Sequence, residues 1–234
     1  MSRYRRTERT RPGRFGVFGY PFGGPARERP LVACWLLVML AALVPIAAAL
    51  AVVPVVGYLV RVLDASAAGG EAPEMGTDVS GLLRRGIGGM AVAVGYLTVP
   101  CIALLVTVYG ATTTSVGPEI GTLQGVVLFA GSTVVLSLFL LAAYLVPAGV
   151  AVYVEGDALG TAFTLSSVTP VAGHAAYFSR WMAGAVTITL ASAVASVSLQ
   201  IHRVGPVVAS LLAVYGAFVA CHVWGRGVAL SRDR

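Results

Sequence analysis

From Leu31 onward the chain is a succession of long apolar runs broken by short polar joints, and this pattern leaves few folds open. Uncharged stretches of roughly 18 residues or more read as bilayer spans, because a helix rises about 1.5 Å per residue and a hydrocarbon core is ~30 Å thick. Five such blocks are visible, at 31–63, 86–109, 122–153, 181–201 and 204–224. Only 11% of the 234 residues are charged. That is under half the ~25% typical of a soluble domain, too little to cover a water-facing surface. The pattern predicts an all-α integral membrane helical bundle. The joints are too short to hold a separate soluble domain.

Arginine sets the expected orientation. The basic residues number 16 and all are arginine; half lie near the start, as Arg3, Arg5, Arg6, Arg9, Arg11, Arg14, Arg27 and Arg29. Basic residues beside a span hold that side in the cytoplasm. Residues 1–30 therefore read as a disordered basic cytoplasmic tail. Its functional reading is contact with anionic lipid, helped by the interleaved Phe15, Phe18, Tyr20 and Phe22; nucleic acid is not expected as a partner. Arg5-Arg6 and Ala47-Ala48-Ala49 resemble parts of a signal peptide, but the apolar run continues through Val60. Residue 31 onward is expected to be retained.

The first block admits one long tilted helix or two short helices folded at Pro45 and Pro54. Length favours one helix. With a single crossing, Arg61, Arg84, Arg85, Arg180, Arg226, Arg232 and Arg234 would face outside. With two crossings, Arg203 alone of the 16 lies outside. The positive-inside rule prefers the second arrangement, and a shallow hairpin with its bend buried by protein reconciles it with length. The expectation is about six transmembrane helices over 31–226, some short, with five as the alternative. Residues 227–234 form a short cytoplasmic tail, and both termini face the cytoplasm.

On this topology, the two longer joints, 61–85 and 155–180, are cytoplasmic connectors. In the first, Ser80 is expected to cap a helix starting at Gly81. In the second, Leu159 and Phe163 would share the face of an interfacial helix, and Pro170 would end the turn. Tyr177, Phe178 and Trp181 would anchor the next span at the interface. Gly86, Gly88, Gly89 and Gly95, the Gly121–Gly125 pair, and Ala191 with Ala195 suggest close helix packing, more within the chain than between copies.

Candidate chemistry is sparse. His174, His202 and His222 are scattered and read as surface or packing residues. No zinc, P-loop or dinucleotide motif is present, and no catalytic or metal-binding residue and no cofactor is assigned. Cys34, Cys101 and Cys221 lie in apolar segments without disulfide or metal spacing and read as small buried hydrophobes. The acids lie in the connectors, away from the span centres where they would mark an ion path. The acids of the first connector read as solvated loop charges; the functional alternative is an ion pair of Arg61 with Glu71 or Glu74 that pins the connector against the bundle.

The stretch Gly57-Tyr58-Leu59-Val60-Arg61, followed by Pro73-Glu74, Asp78, Leu82 and Gly86, resembles an uncharacterised membrane-protein family found mainly in archaea, domain of unknown function 4013. The family's pattern has Gly-Tyr, apolar residues and an arginine. A Pro-Glu-aromatic step, an acidic-Trp pair, and a Leu and Gly entering the next span follow. Glu155-Gly156 through Ala162-Phe163 looks like a later element. Met75 and Val79 depart from the usual aromatic and tryptophan, which weakens an interfacial anchor there. The resemblance implies a polytopic membrane fold and no established activity. The expected function is that of a non-enzymatic structural or interaction protein of the cell membrane. The alternative is a transporter or channel for a small solute, with a polar cavity lined by 112–115, 132–133 or 187–196.

Overall fold

The computed structural model describes residue 19 and residues 28–70, 73, 78–114 and 122–232. The basic tail and its expected disorder lie outside the described residues, as do Glu71 and Glu74. The described residues are helical throughout: α1 (Arg29–Leu43), α2 (Pro45–Ala67), α3 (Val79–Thr114), α4 (Thr122–Gly156), α5 (Leu165–Ala172), α6 (Ala175–Ser198) and α7 (Gly205–Arg232). A 3-10 turn, Leu159–Phe163, joins α4 to α5. Five helices, α2, α3, α4, α6 and α7, contain stretches long and apolar enough to cross a membrane.

The first block is a hairpin. Val44 is extended (φ −129°, ψ 95°), the conformation that a following proline imposes. Pro45 then opens α2 at a position where its missing amide costs nothing. Pro54 lies inside α2 and does not fold the chain. Leu31 and Cys34, near the start of α1, pack with Tyr58 and Val62, near the end of α2, so the two helices run antiparallel. At 15 residues, α1 is only about 22 Å long and falls short of a full crossing. The bend is not covered by protein as expected, since Leu43 is 75% exposed.

α2 and α7 form the centre of the bundle. α3 lies against α2, α4 against α3, and α6 against α7, while α1 runs along α2 and touches α7. The outer faces carry exposed apolar side chains such as Ile102, Leu105, Leu136 and Leu190, as contact with lipid requires. Cys101 is among the exposed positions; Cys34 is buried and Cys221 half-buried.

Pro147 explains how α6 is fixed to α4. A proline inside a helix removes the amide that would serve the carbonyl four residues back, here that of Ala143. In lipid an orphaned carbonyl has no water to turn to, and a neighbouring helix must supply the donor. The Trp181 indole donates to the Ala143 carbonyl at 3.0 Å, and the Tyr177 hydroxyl donates to the next carbonyl, that of Tyr144, at 2.8 Å. Tyr144 stands edge-on to both rings, and its hydroxyl donates to the Ala172 carbonyl at the end of α5. Tyr177 and Trp181 are therefore buried hydrogen-bonding residues, and of the three expected interfacial anchors only Phe178 is exposed.

The chain between α4 and α6 folds back. Asp157 takes a left-handed backbone conformation (φ 47°), one that Asp adopts more readily than most residues. The chain then packs along α4, with Ala162 accepting a hydrogen bond from Tyr96 and Phe163 lying against its ring. The expected interfacial helix at Leu159 and Phe163 is thus a 3-10 turn held to α3 and α4, and α5 continues through Pro170 to Ala172.

Replacing Trp181 with Phe is expected to destabilise the bundle by about 1 kcal/mol, the scale of an interhelical hydrogen bond in lipid. In a Pro147→Ala background, the restored amide serves Ala143 and the cost falls to the packing difference alone. Reversible unfolding in mixed micelles measures both; an equal cost in the two backgrounds would show that the indole does not substitute for the missing amide.

Candidate functional site

The residues singled out between Gly57 and Gly86 converge on the crossing of α2 and α3. A Cβ on Gly57 would lie 2.1 Å from the Leu82 carbonyl oxygen, and one on Gly86 would lie 2.2 Å from the Val53 carbonyl oxygen. The two helix backbones therefore touch, which only glycine at both positions allows. Leu82 is buried beside Tyr58, and the fully buried Tyr58 ring stacks on Phe218 of α7 with centroids 5.1 Å apart. Its hydroxyl donates to the Pro73 carbonyl at 2.7 Å, drawing the connector down onto the bundle.

The other half of the clamp is polar. Arg61 Nη2 donates to the Asp78 carbonyl at 3.0 Å and lies 3.5 Å from the Asp78 carboxylate. Asp78 Oδ1 accepts from the Gly81 amide and from the Ser80 hydroxyl, each at 2.9 Å. Asp78 is thus the N-cap of α3, and Ser80, the expected cap, supports it from the first turn. The Gly81 amide, then the Ser80 hydroxyl, and more weakly Arg61, hold the Asp78 carboxyl below its ordinary value of 3.8. Of the eight motif residues, Gly57, Tyr58, Arg61, Pro73, Asp78, Leu82 and Gly86 form one contiguous clamp; Glu74 lies outside the described residues. Arg61 has Asp78 as an ion-pair partner among the described residues; Glu71 and Glu74 lie outside them.

Three further ion pairs surround the clamp. Arg85 meets Asp64 at 2.9 Å, Arg84 meets Asp157 at 2.6 Å, and Arg232 meets Glu155 at 2.5 Å. They join the end of α2 to the start of α3, and the end of α4 to both α3 and α7. The partners are far apart in sequence, and the only signal for them was that charges cluster where apolar runs stop. Arg84, Arg85, Tyr153 and Asp157 line a pocket of about 230 Å³ beside these pairs.

The histidines do not assemble. Among the described residues, no group of three potential metal ligands comes together. His174 caps α6 by accepting from the Ala176 amide, and His202 lies in the turn before α7. His222 Nδ1 is 2.8 Å from Ser66 Oγ, a contact between α7 and α2 not foreseen from sequence. Ser66 has no exposed surface, so this pair ties helices together and offers no accessible nucleophile. The hydroxyls of Thr133, Thr187, Thr189 and Ser196 donate to carbonyls of their own helices. A groove of about 420 Å³ between α3 and α4 is lined chiefly by apolar side chains, with Thr107 and Ser132 its hydroxyls.

The family described as protein of unknown function DUF4013 matches residues 40–199, which include the whole clamp. The chain belongs to the DUF4013 family. No curated protein and no solved structure matches it. The DUF4013 match ends before α7, yet α7 supplies Phe218, against which Tyr58 stacks.

Gly57→Ala and Gly86→Ala are each expected to cost about 2 kcal/mol, because the added methyl meets backbone that cannot step aside. Thermal unfolding in detergent checks this. A Gly110→Ala control, where a Cβ would meet nothing within 4 Å, is expected to be silent.

Asp78 also makes stability depend on pH. Its folded pKa is depressed, so its contribution is fully present above the ordinary value of 3.8 and is lost as pH falls through the lower folded value. The Asp78→Asn variant is expected to flatten the acid limb of a plot of unfolding midpoint against pH. An acid limb identical to that of the parent chain would contradict the assignment.

Proposed function

We propose that this DUF4013 protein is a non-catalytic, multi-pass protein of the cytoplasmic membrane whose charged end faces the cytoplasm. There, the α2–α3 clamp and its ion pairs present a rigid surface to lipid headgroups or a protein partner. One observation carries the reading. Arg61, Arg84, Arg85 and Arg232 are paired at one end of the bundle. Arg180 packs against Gly227 near that same end, and Arg203 lies in the turn at the other. Arginine resists translocation, so the arginine-laden end is the one retained inside. Both termini then lie in the cytoplasm.

The absence of catalysis is part of the proposal. It is supported by the burial of Ser66, whose contact with His222 is the described serine–histidine pair. Transport of a small solute finds less support, because the hydroxyls of Thr133, Thr187, Thr189 and Ser196 are turned onto their own helices and the α3–α4 groove is lined chiefly by apolar side chains.

Orientation is tested with impermeant maleimide on intact cells, in a background with Cys34, Cys101 and Cys221 replaced by Ala. His202→Cys is expected to label directly, and Ala68→Cys only after permeabilisation. The reverse pattern would overturn the proposed orientation and the cytoplasmic role of the clamp.

A further inference from the structure

The chain between Asp157 and Arg180 is as poor in charge as a span, yet it does not cross the membrane. Residues 158–179 hold no Asp, Glu or Arg, whereas the joint between α2 and α3 carries Asp64, Glu71, Glu74, Asp78, Arg84 and Arg85. Four large apolar side chains of the uncharged segment, Leu159, Phe163, Leu165 and Phe178, are exposed, Leu165 by 81%. A contiguous apolar surface of this kind marks contact with a partner or with lipid.

Hydrogen bonds set the depth of this segment. The Tyr96 hydroxyl donates to the Ala162 carbonyl at 2.6 Å. Tyr96 is about 18 Å further along α3 than Arg84, whose partner is Asp157. The Tyr144 hydroxyl donates to the Ala172 carbonyl. Tyr144 is about 16 Å back along α4 from Glu155, the partner of Arg232. A tyrosine side chain spans less than half of either distance. Both carbonyls therefore lie on the order of 10 Å below the level of the ion pairs, toward the middle of the bundle.

The backbone at that depth is supplied with donors. Non-helical backbone survives beside hydrocarbon only where the protein serves its polar groups. The amides of Thr161, Thr164, Ser167 and His174 donate to the carbonyls of Ala158, Thr161, Thr164 and Val171. The Thr164 hydroxyl serves Gly160, while Tyr96 and Tyr144 serve Ala162 and Ala172 from neighbouring helices. A loop standing in water has no need of these donors, because water satisfies its carbonyls. Ser166 and Thr169 share the outer surface with Leu165, a mixture suited to the border between headgroups and acyl chains.

We infer that residues 158–179 form a re-entrant element seated in the leaflet at the charged end, with Leu159, Phe163, Leu165 and Phe178 against its acyl chains. The segment enters the leaflet after Asp157, turns within it, and rises into α6 without crossing. This apolar surface goes beyond the headgroup-facing surface proposed above, and it does not depend on which compartment the charged end faces.

The test uses the full chain, with Cys34, Cys101 and Cys221 replaced by Ala, reconstituted in phosphatidylcholine vesicles. A nitroxide label is placed at single cysteines. Electron paramagnetic resonance compares its collisions with oxygen, which concentrates in hydrocarbon, and with a water-soluble nickel chelate. Ala68→Cys, at the exposed end of α2, marks the aqueous limit. Leu136→Cys, on the exposed face of α4, marks the hydrocarbon limit. The oxygen-to-nickel ratio at Leu165→Cys and Phe178→Cys is expected to exceed that at Ala68→Cys several-fold and to approach that at Leu136→Cys. Leu165→Cys alone carries the test if Phe178→Cys fails to fold. A ratio no higher than at Ala68→Cys would overturn the inference, and is the outcome required if the surface is instead the seat of a soluble protein partner. The ratio reads depth and not side, so a reversed orientation in the maleimide experiment leaves the re-entrant element standing.

Discussion

Every backbone carbonyl within hydrocarbon needs a donor from the protein itself, and the arrangement of this bundle follows from how that demand is met at Pro147. The proline leaves the Ala143 carbonyl without its helical partner. Trp181 and Tyr177 answer from the next long helix, and Tyr144 passes the connection on to the end of α5. Three aromatic residues thereby fix α6 against α4, although those two helices are separated by a folded-back connector. The same rings supply the packing that holds Ala148, Ala151 and Val152 in the core. A hydrophobic effect cannot do this work between helices already surrounded by lipid; specific donors and close fits must.

Charge imposes the second order. The four described ion pairs gather at the end where α2, α4 and α7 finish and α3 begins. Each is partly exposed, so none is a large source of stability by itself. Their effect is to fix which helix ends stand side by side. The α2–α3 clamp adds a rigid element there, since two backbones in van der Waals contact cannot slide without the carbonyls of Val53 and Leu82 meeting the opposing helix.

The sequence made the spans legible because hydrocarbon tolerates so few polar residues. The hairpin was legible from Pro45 together with the arginine count, even though length alone argued against it. The clamp residues were visible through the family pattern, but their purpose was not. Gly57 and Gly86 read as generic small residues until their opposing carbonyls were placed. Asp78 was overlooked as a cap because Ser80 is also a good capping residue and lies closer to the apolar run. Tyr177 and Trp181 were assigned to the interface by their position at a span entrance. Nothing local reveals that their hydrogen-bond partners lie more than thirty residues earlier, orphaned by a proline in another helix. The partners of Arg84 and Arg232 were hidden for the same reason: pairing across a bundle depends on helix order, which periodicity does not encode.

The short α1 has a consequence for the surrounding lipid. It is about 8 Å shorter than a typical hydrocarbon core, and the Leu43–Val44 bend at its tip lies open. The last carbonyls of α1 have no following turn to bond, and a lipid-exposed loop cannot leave them dry. A bilayer meeting this flank would have to thin locally or let headgroups and water reach the bend. Through this one helix, the thickness of the hydrocarbon layer would bear on how the bundle sits in it.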